Sequence, residues 1–380
     1  MTRHQLRPNA IATSHLSKAM DESLTYEVIA EGIVAPLTFM EWGQSGDPGV
    51  FDGGAYYADG AVCARSLQRK AGFVNQPLPL VSPAGISRST GKHLYAGMLK
   101  NEHFGHFLAE SLSRLWPLSK PVTSGLESII FYARMHRQPI PGWAPTFMGL
   151  LAPGLPLRIV SDPASFESLI VPDAVAHPYH GFVYGHPAIR ETFSRLQQIE
   201  GQACKKIYVS RSKLGNSGGF LGETRLEEIL ARKGFHIMYP EEHTLREQVS
   251  LYNGAETLIF AEGAALHLFA LTCRKDQKVY IIQRRKNASI FEWQLGSFGL
   301  RPIIGPEPPV AYYIPRGQGR STLLARARVN FDKLREKLVA EGFVDGADWN
   351  LPDESFIREE IQCIEKRTGQ SLVEHLSASI

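Results

Sequence analysis

Hydrophobic and polar positions recur with helical spacing in one stretch near residue 105. In HFGHFLAESLSRLW, a rotation of about 100° per residue separates the side chains into two faces. The apolar face carries Phe104, Phe107, Leu108, Leu112 and Leu115. The polar face carries His103, His106, Glu110 and Arg114. The pattern predicts an amphipathic helix whose polar face can exchange protons near neutral pH, unlike the Lys and Glu of an ordinary solvated face.

From residue 205 onward, short apolar runs alternate with helical patterns. The runs that predict strands are KKIYVS, FHIMYP, ETLIFAE and KVYIIQ, and the segments between them that predict helices are TRLEEILARKG, TLREQVSLYNG and ALHLFALTC. Thr224 with Glu227, and Thr244 with Glu247, have the spacing of a capping box. Strictly alternating strands and helices favour a parallel sheet covered by helices, which is a Rossmann-like domain.

The first half of the chain has a different organisation. Residues 26–90 are rich in Gly and Pro and predict short strands and turns. ESIIFYA, LRIVSD and ESLIVPDA then predict strands, and a helix is expected before residue 200. We therefore expect an N-terminal domain over 1–195 with a β-rich start followed by α/β structure, a Rossmann-like domain over 200–310, and a C-terminal helical segment over 311–380 that packs back on the first domain.

Composition narrows the class of protein. The chain has 380 residues, 43% of them hydrophobic and 21% charged, with a net charge of +3. This is the balance of a globular protein with no nucleic-acid partner. Four scattered cysteines form no CxxC pair, so a zinc ribbon or disulfide framework is not supported. No apolar run predicts a signal peptide or a membrane span, so we expect a cytoplasmic location with at most peripheral membrane contact.

The loops that follow the predicted parallel strands are the expected ligand sites, since ligands bind beyond the carboxyl ends of such strands. Arg211 and Lys213, after the first strand, suit phosphate oxygens. Gly263, Ala264 and Ala265, after the third, form a small-residue turn that lets backbone N–H groups face an anion. Glu262 would repel a phosphate and is expected to accept hydrogen bonds from sugar or ribose hydroxyls. The fingerprints GxGxxG after a strand and GxxxxGK[ST] are absent.

Three blocks in the same order resemble glycosyltransferase family 61. They are HFGHFLAESLSRLW, KKIYVSRSK and EEHTLREQVSLYNGAETLIFAEGAALHLFAL. The family patterns are H-[FW]-L-x-E-x-L-x-R-L, a strand ending in S-R, and G-x-H-G-A-G-L. The likeness covers about residues 90–305. Glu262 stands where the family has histidine, and Ala265 stands where it has its second glycine.

The resemblance implies a GT-B fold, with two Rossmann-like domains facing a cleft, and an inverting transfer of sugar from a nucleotide-sugar donor to a glycan or glycolipid hydroxyl in surface polysaccharide synthesis. His106 is then the favoured general base with Glu110 supporting it, and the reverse assignment stays open. Arg211, Lys213, and the turn 262–265 would hold the donor. His103 and Arg114 would contact the acceptor, although Arg114 could instead pair with Glu110 at i,i+4 spacing. No D-x-D triplet occurs in the donor half, so we expect neither metal nor other cofactor.

Three other functions fit the sequence less well. A metal hydrolase could use His103, His106 and Glu110, but HExxH is absent and three ligands on one short helix would crowd a tetrahedral ion. A non-catalytic nucleotide- or sugar-binding protein of the same fold is the main alternative, because the G-A-A turn departs from the family pattern. A dinucleotide oxidoreductase lacks its fingerprint.

Overall fold

The computed structural model describes residues 20, 23–44, 47–68, 72–80, 85–134, 139–177, 181–214, 218–317 and 325–377. The chain divides into two compact units, Met1–Gln198 and Ile199–Ile380. Both combine helices and sheets, so a mixed α/β fold is confirmed. Within the described residues, no helix is long and apolar enough to cross a membrane.

The first unit is built around a mixed sheet. Its described strands are β1 (Tyr26–Ala35), β2 (Met40–Glu41), β3 (Gly49–Phe51), β4 (Gly54–Tyr56), β5 (Phe73–Asn75), β6 (Ser87–Leu99), β7 (Leu126–Ala133), β8 (Leu157–Val160) and β9 (Ala164–Pro172). The larger sheet has the order β4-β1-β9-β6-β7-β8. Strands β9, β6, β7 and β8 run parallel, whereas β1 is antiparallel to β9. The smaller sheet has the order β2-β3-β5.

The predicted helix at 103–116 is replaced by a more irregular segment. It begins as the short helix α1 (Phe104–His106), continues as a π-helical turn over Phe107–Ser111, and ends in turns before a 3-10 helix at Trp116–Ser119. The wider π turn breaks the regular helical spacing, so one solvated polar stripe does not form. Residues 107–118 are buried throughout. The other helices of this unit are α2 (Trp143–Leu151) and α3 (Pro187–Gln197).

The second unit contains the predicted parallel sheet. Its described strands are β10 (Lys206–Val209), β11 (Gly219–Phe220), β12 (His236–Met238), β13 (Thr257–Ala261), β14 (Lys278–Ile282), β15 (Ile303–Gly305), β16 (Ala311–Pro315), β17 (Arg326–Arg328) and β18 (Leu372–Leu376). The main sheet has the order β12-β10-β13-β14-β15, and every pairing in it is parallel. This is the doubly wound order 2-1-3-4-5, in which the ligand crevice lies between the first and third strands. Here those strands are β10 and β13.

The helices of the second unit are α4 (Glu223–Arg232), α5 (Leu245–Gly254), α6 (Ala265–Ala270), α7 (Ser289–Ser297), α8 (Phe331–Ala340) and α9 (Glu354–Thr368). The capping box of Thr244 and Glu247 is present at the start of α5. The one predicted for Thr224 and Glu227 is wrong: the N-cap of α4 is Gly222, two residues before Thr224, and the Glu227 carboxylate instead accepts hydrogen bonds from Ser210 and Tyr239.

The segment 311–380 is not wholly helical as expected. Strands β16 and β18 pair with each other, and β17 joins β16 to β11 in a second sheet. Leu334 and Leu338, four residues apart on α8, are fully buried in the core that also contains Tyr208 and Tyr280 of the parallel sheet. This segment therefore completes the core of the second unit.

Candidate active site

The first cluster of chemical groups lies where β6 ends in the first unit. His106 Nδ1 and Glu110 Oε1 are 2.5 Å apart. The other oxygen of Glu110 is 3.2 Å from the ammonium of Lys100, the residue that directly follows β6. The side chain of His106 is 46% exposed, that of Glu110 5% and that of Lys100 1%. The imidazole therefore faces solvent while both charges behind it are buried.

Burial and charge act in opposite directions on the two buried groups. Burial by itself raises the pKa of Glu110, yet the hydrogen bond with His106 and the charge of Lys100 outweigh it and hold that pKa below its ordinary value. Burial lowers the pKa of Lys100, although the carboxylate of Glu110 acts against this shift. Glu110 is thus held ionised, and an ionised carboxylate on Nδ1 orients the ring with Nε2 outward. In the described part of the chain no hydrogen bond to Nε2 is found.

The two remaining predicted residues of this segment lie apart from one another. The His103 ring centroid is 5.8 Å from that of His106, and the side chain is exposed. Arg114 is only 1% exposed and donates hydrogen bonds to the carbonyl oxygens of Pro172 and Leu67. The alternative of an i,i+4 pair with Glu110 is not borne out, because Glu110 contacts His106 and Lys100 while Arg114 bonds to these carbonyls. A cavity of about 630 Å³ lies beside Arg114. Contact of His103 or Arg114 with an acceptor stays a prediction.

The second cluster lies at the carboxyl ends of β10, β13 and β14 in the second unit. Arg211 follows β10 and donates two hydrogen bonds to the carbonyl of Gly218, at 3.3 and 3.1 Å. A Cβ at Gly263 would collide with the Arg211 guanidinium. The glycine predicted to let a ligand approach thus makes room for this arginine. Loop residues 215–217 lie outside the described residues.

Arg284 and Arg285 follow β14 and were not identified from the sequence. Both are fixed by Glu262, whose carboxylate is fully buried. Glu262 Oε2 accepts hydrogen bonds from the backbone N–H groups of Arg284 and Arg285, each at 3.0 Å, and Oε1 accepts one from Arg285 Nε. Burial and the charge of Arg211 lower the pKa of Arg284 to about 9. One terminal nitrogen of Arg284, Nη1, is buried without a hydrogen-bond partner in the described structure.

Glu223, on α4, contacts the same cluster through the backbone of Arg211. Its Oε1 accepts hydrogen bonds from the Arg211 backbone N–H at 2.7 Å and from the Tyr208 hydroxyl at 2.9 Å. Burial raises the pKa of Glu223 to about 7 despite these bonds. A carboxyl group with this pKa is only partly ionised at neutral pH, so it compensates part of one arginine charge. The cluster of Arg211, Arg284 and Arg285 consequently keeps a positive balance.

The other predicted donor residues have less direct positions. The Lys213 ammonium is 2.7 Å from Glu242 and lies over the Tyr239 ring at 3.7 Å from its centroid. Ala264 precedes α6 and Ala265 begins it. Their contact with a donor stays a prediction. Among the described residues, no group of three or more His, Cys, Asp or Glu side chains is arranged to hold a metal ion.

One unit carries a doubly wound sheet with arginines beyond the carboxyl ends of its strands, and the other exposes a histidine supported by a carboxylate. A group-transferring enzyme uses groups of both kinds. Comparison with family models specifies the class: residues 104–280 match the model described as Glycosyltransferase 61. This match, over slightly less than half of the chain, supports membership of glycosyltransferase family 61, and the protein is a glycosyltransferase enzyme. No curated protein matches the chain.

Proposed function

We propose that the protein is an inverting glycosyltransferase that takes its donor as a nucleotide sugar and transfers the sugar to a hydroxyl of a glycan or glycolipid, as in surface polysaccharide synthesis. The proposal includes a GT-B arrangement of the two units, with the second as donor unit. The observation that carries it is the positive balance of Arg211, Arg284 and Arg285 at the switch point of the doubly wound sheet. A nucleoside diphosphate has the negative charge and the paired oxygens that the planar fork of arginine binds.

In this mechanism, His106 Nε2 removes the proton of the acceptor hydroxyl as its oxygen attacks the anomeric carbon. The bond from that carbon to the diphosphate breaks on the opposite face, which inverts the configuration. The ionised Glu110 stabilises the imidazolium that forms, as a carboxylate does for a histidine base. The arginines stabilise the negative charge that develops on the leaving diphosphate. The proposed reaction requires no metal, since guanidinium groups take the place of a bridging cation.

Calorimetric titration with UDP, GDP and CDP in the presence of EDTA tests the donor site. We expect one of them to bind, and Arg284→Met and Arg211→Met each to weaken binding by about 10- to 100-fold, because hydrogen bonds to charged groups contribute about 1.5–3 kcal/mol. Lys205→Met is the matched control: it removes a cation at the opposite end of β10, where its side chain is 67% exposed. Equal weakening in the control, or unchanged affinity in both arginine variants, would contradict the assignment.

Transfer itself is tested with a radiolabelled nucleotide sugar that carries the nucleotide found to bind in the calorimetric titration. His106→Ala and Glu110→Gln should each lower turnover while leaving nucleotide affinity nearly unchanged, because these residues are assigned to acceptor activation. Product analysis by NMR gives the anomeric configuration. Retention of configuration would refute the single-displacement mechanism, and full turnover in both variants would refute the assignment of the base.

A further inference from the structure

Lys100 is a cation in an unusual place. Its side chain is 1% exposed, and a lysine in the interior loses hydration that an apolar side chain of similar length would not need. The ammonium lies 3.2 Å from Glu110 Oε2, but it has no hydrogen-bond partner in the described structure. Its contact with Glu110 is therefore chiefly one of charge, which points to an electrostatic role rather than to that of a hydrogen-bonding strut.

We propose that Lys100 is a positioning residue of the transfer reaction: its buried ammonium compensates the Glu110 carboxylate, so that the carboxylate orients His106 without holding a proton on it. This inference rests on the proposed role of His106 as the base. An imidazole beside an uncompensated carboxylate binds its proton more tightly, because the charged pair that results is stabilised. A base must reach the acceptor hydroxyl unprotonated. The Lys100 ammonium contacts the other oxygen of Glu110 and so weakens the attraction between the carboxylate and a protonated imidazole.

The other charged groups around Lys100 leave this balance in place. Glu102 lies three residues after the end of β6, and Arg134 directly follows β7. Their side chains form an ion pair with each other. Burial lowers the pKa of Lys100, and of the surrounding charges Glu110 and Glu102 oppose this shift while Arg134 adds to it. The ring centroid of His103 lies 5.8 Å from that of His106. Lys100 is thus the cation in direct contact with the carboxylate that His106 uses.

The test is a titration of His106 in full-length protein labelled with ¹³C and ¹⁵N in histidine, with the signal assigned through His106→Gln. We expect Lys100→Met to raise the midpoint of His106 by about one pH unit or more, as for a charge within a few ångströms. In this variant we expect the proton that the pair takes up on the half-exposed imidazole of His106 rather than on the buried carboxyl group of Glu110. Lys92→Met is the control, because it removes a lysine from β6 whose ammonium, among the described residues, donates hydrogen bonds to the carbonyls of Val122 and Ser124 rather than to a carboxylate. A folded Lys100→Met protein with the wild-type midpoint would overturn the proposal.

Two further readouts separate this role from simple support of the fold. In Lys100→Met, the acidic limb of the kcat–pH profile should shift to higher pH together with the His106 midpoint. A structural defect would instead lower kcat equally at every pH. If Lys100→Met does not fold, Lys100→Gln, which keeps a neutral polar group beside the Glu110 carboxylate, takes its place: its midpoint should also lie above that of wild type, and an unchanged midpoint would refute the proposal. The titration needs no turnover, so it can fail or succeed independently of the proposed reaction.

Discussion

The carboxylate of Glu262 offers the sharpest test of how the donor site is built. The sequence predicts a contact with ligand hydroxyls, whereas the structure shows a fully buried anchor that accepts three hydrogen bonds from Arg284 and Arg285. In Glu262→Gln, the amide oxygen can still accept from both backbone N–H groups. The new NH₂ group then faces Arg285 Nε, so two donors oppose each other.

The expected cost follows from these contacts. Hydrogen bonds to charged groups contribute about 1.5–3 kcal/mol, and removing one partner of a buried ion pair costs about 3–5 kcal/mol. We therefore expect Glu262→Gln to lower the free energy of unfolding of the second unit by about 2–3 kcal/mol, and Glu262→Ala by about 3–5 kcal/mol. Nucleotide affinity should fall in both, because Arg284 and Arg285 lose their common support.

Hydrogen exchange read at peptides from β13 and β14 measures this stability locally, since a chain of two units need not unfold in one step. Glu256→Gln is the control: it lies just before the start of the same strand, in an ion pair with Lys205 whose side chains are 60% and 67% exposed, and should cost less than about 1 kcal/mol. If Glu262→Gln is as stable as this control but binds nucleotide poorly, Glu262 contacts the ligand directly and the anchor is refuted.

Three further substitutions test the interior of the two units. Arg114→Met should lower the free energy of unfolding by about 3 kcal/mol, because the buried carbonyl of Pro172 and the partly buried carbonyl of Leu67 lose their guanidinium donor; urea unfolding measures the change, and a loss below about 1 kcal/mol would contradict it. Gly263→Ala should weaken nucleotide binding in calorimetry by displacing Arg211, and unchanged affinity would show that the guanidinium is not held there for the ligand. A raised pKa means that folded Glu223 binds its proton more tightly than the unfolded chain does, so its contribution to stability is complete below about pH 4.5 and is lost as the pH rises through about 7. Between pH 4.5 and 8, stability should consequently fall by about 3 kcal/mol more in wild type than in Glu223→Gln, as measured by urea unfolding, and parallel pH profiles would refute the shift.

Much of the second unit could be predicted from its sequence because local signals there agree with the tertiary structure. Four apolar runs became parallel strands, and the capping box of Thr244 and Glu247 formed as expected. The first unit was harder. Strand β6 begins with the polar run SRSTGK and was not identified, because its early residues are partly exposed and lack a clear alternation. The π turn at 107–111 has no sequence pattern that would distinguish it from a regular helix.

The candidate site shows the same division between local and tertiary information. The exposed His106 and the Arg211 that follows a strand could be identified from motif and position. Lys100, Arg284 and Arg285 were not identified from the sequence, because a charged residue after a strand is usually solvated. Only packing shows that Lys100 and Arg284 are buried and that Arg285 pairs with the buried Glu262. The rule that ligands bind at the carboxyl ends of parallel strands was nevertheless a usable signal for Arg284 and Arg285, since both follow KVYIIQ.

The two clusters differ in net charge, and the charge of each suits the role proposed for it. In the first unit, Lys100 and Glu110 cancel, so a proton arriving on His106 meets no net negative charge that would trap it. In the second unit, three arginines face one firmly bonded carboxylate, Glu262, and a second carboxyl group whose pKa is raised to about 7. A base that must gain and lose a proton works best near neutrality, whereas a site for a leaving diphosphate needs uncompensated positive charge. Buried charges behind each cluster thus determine what its exposed residues can do.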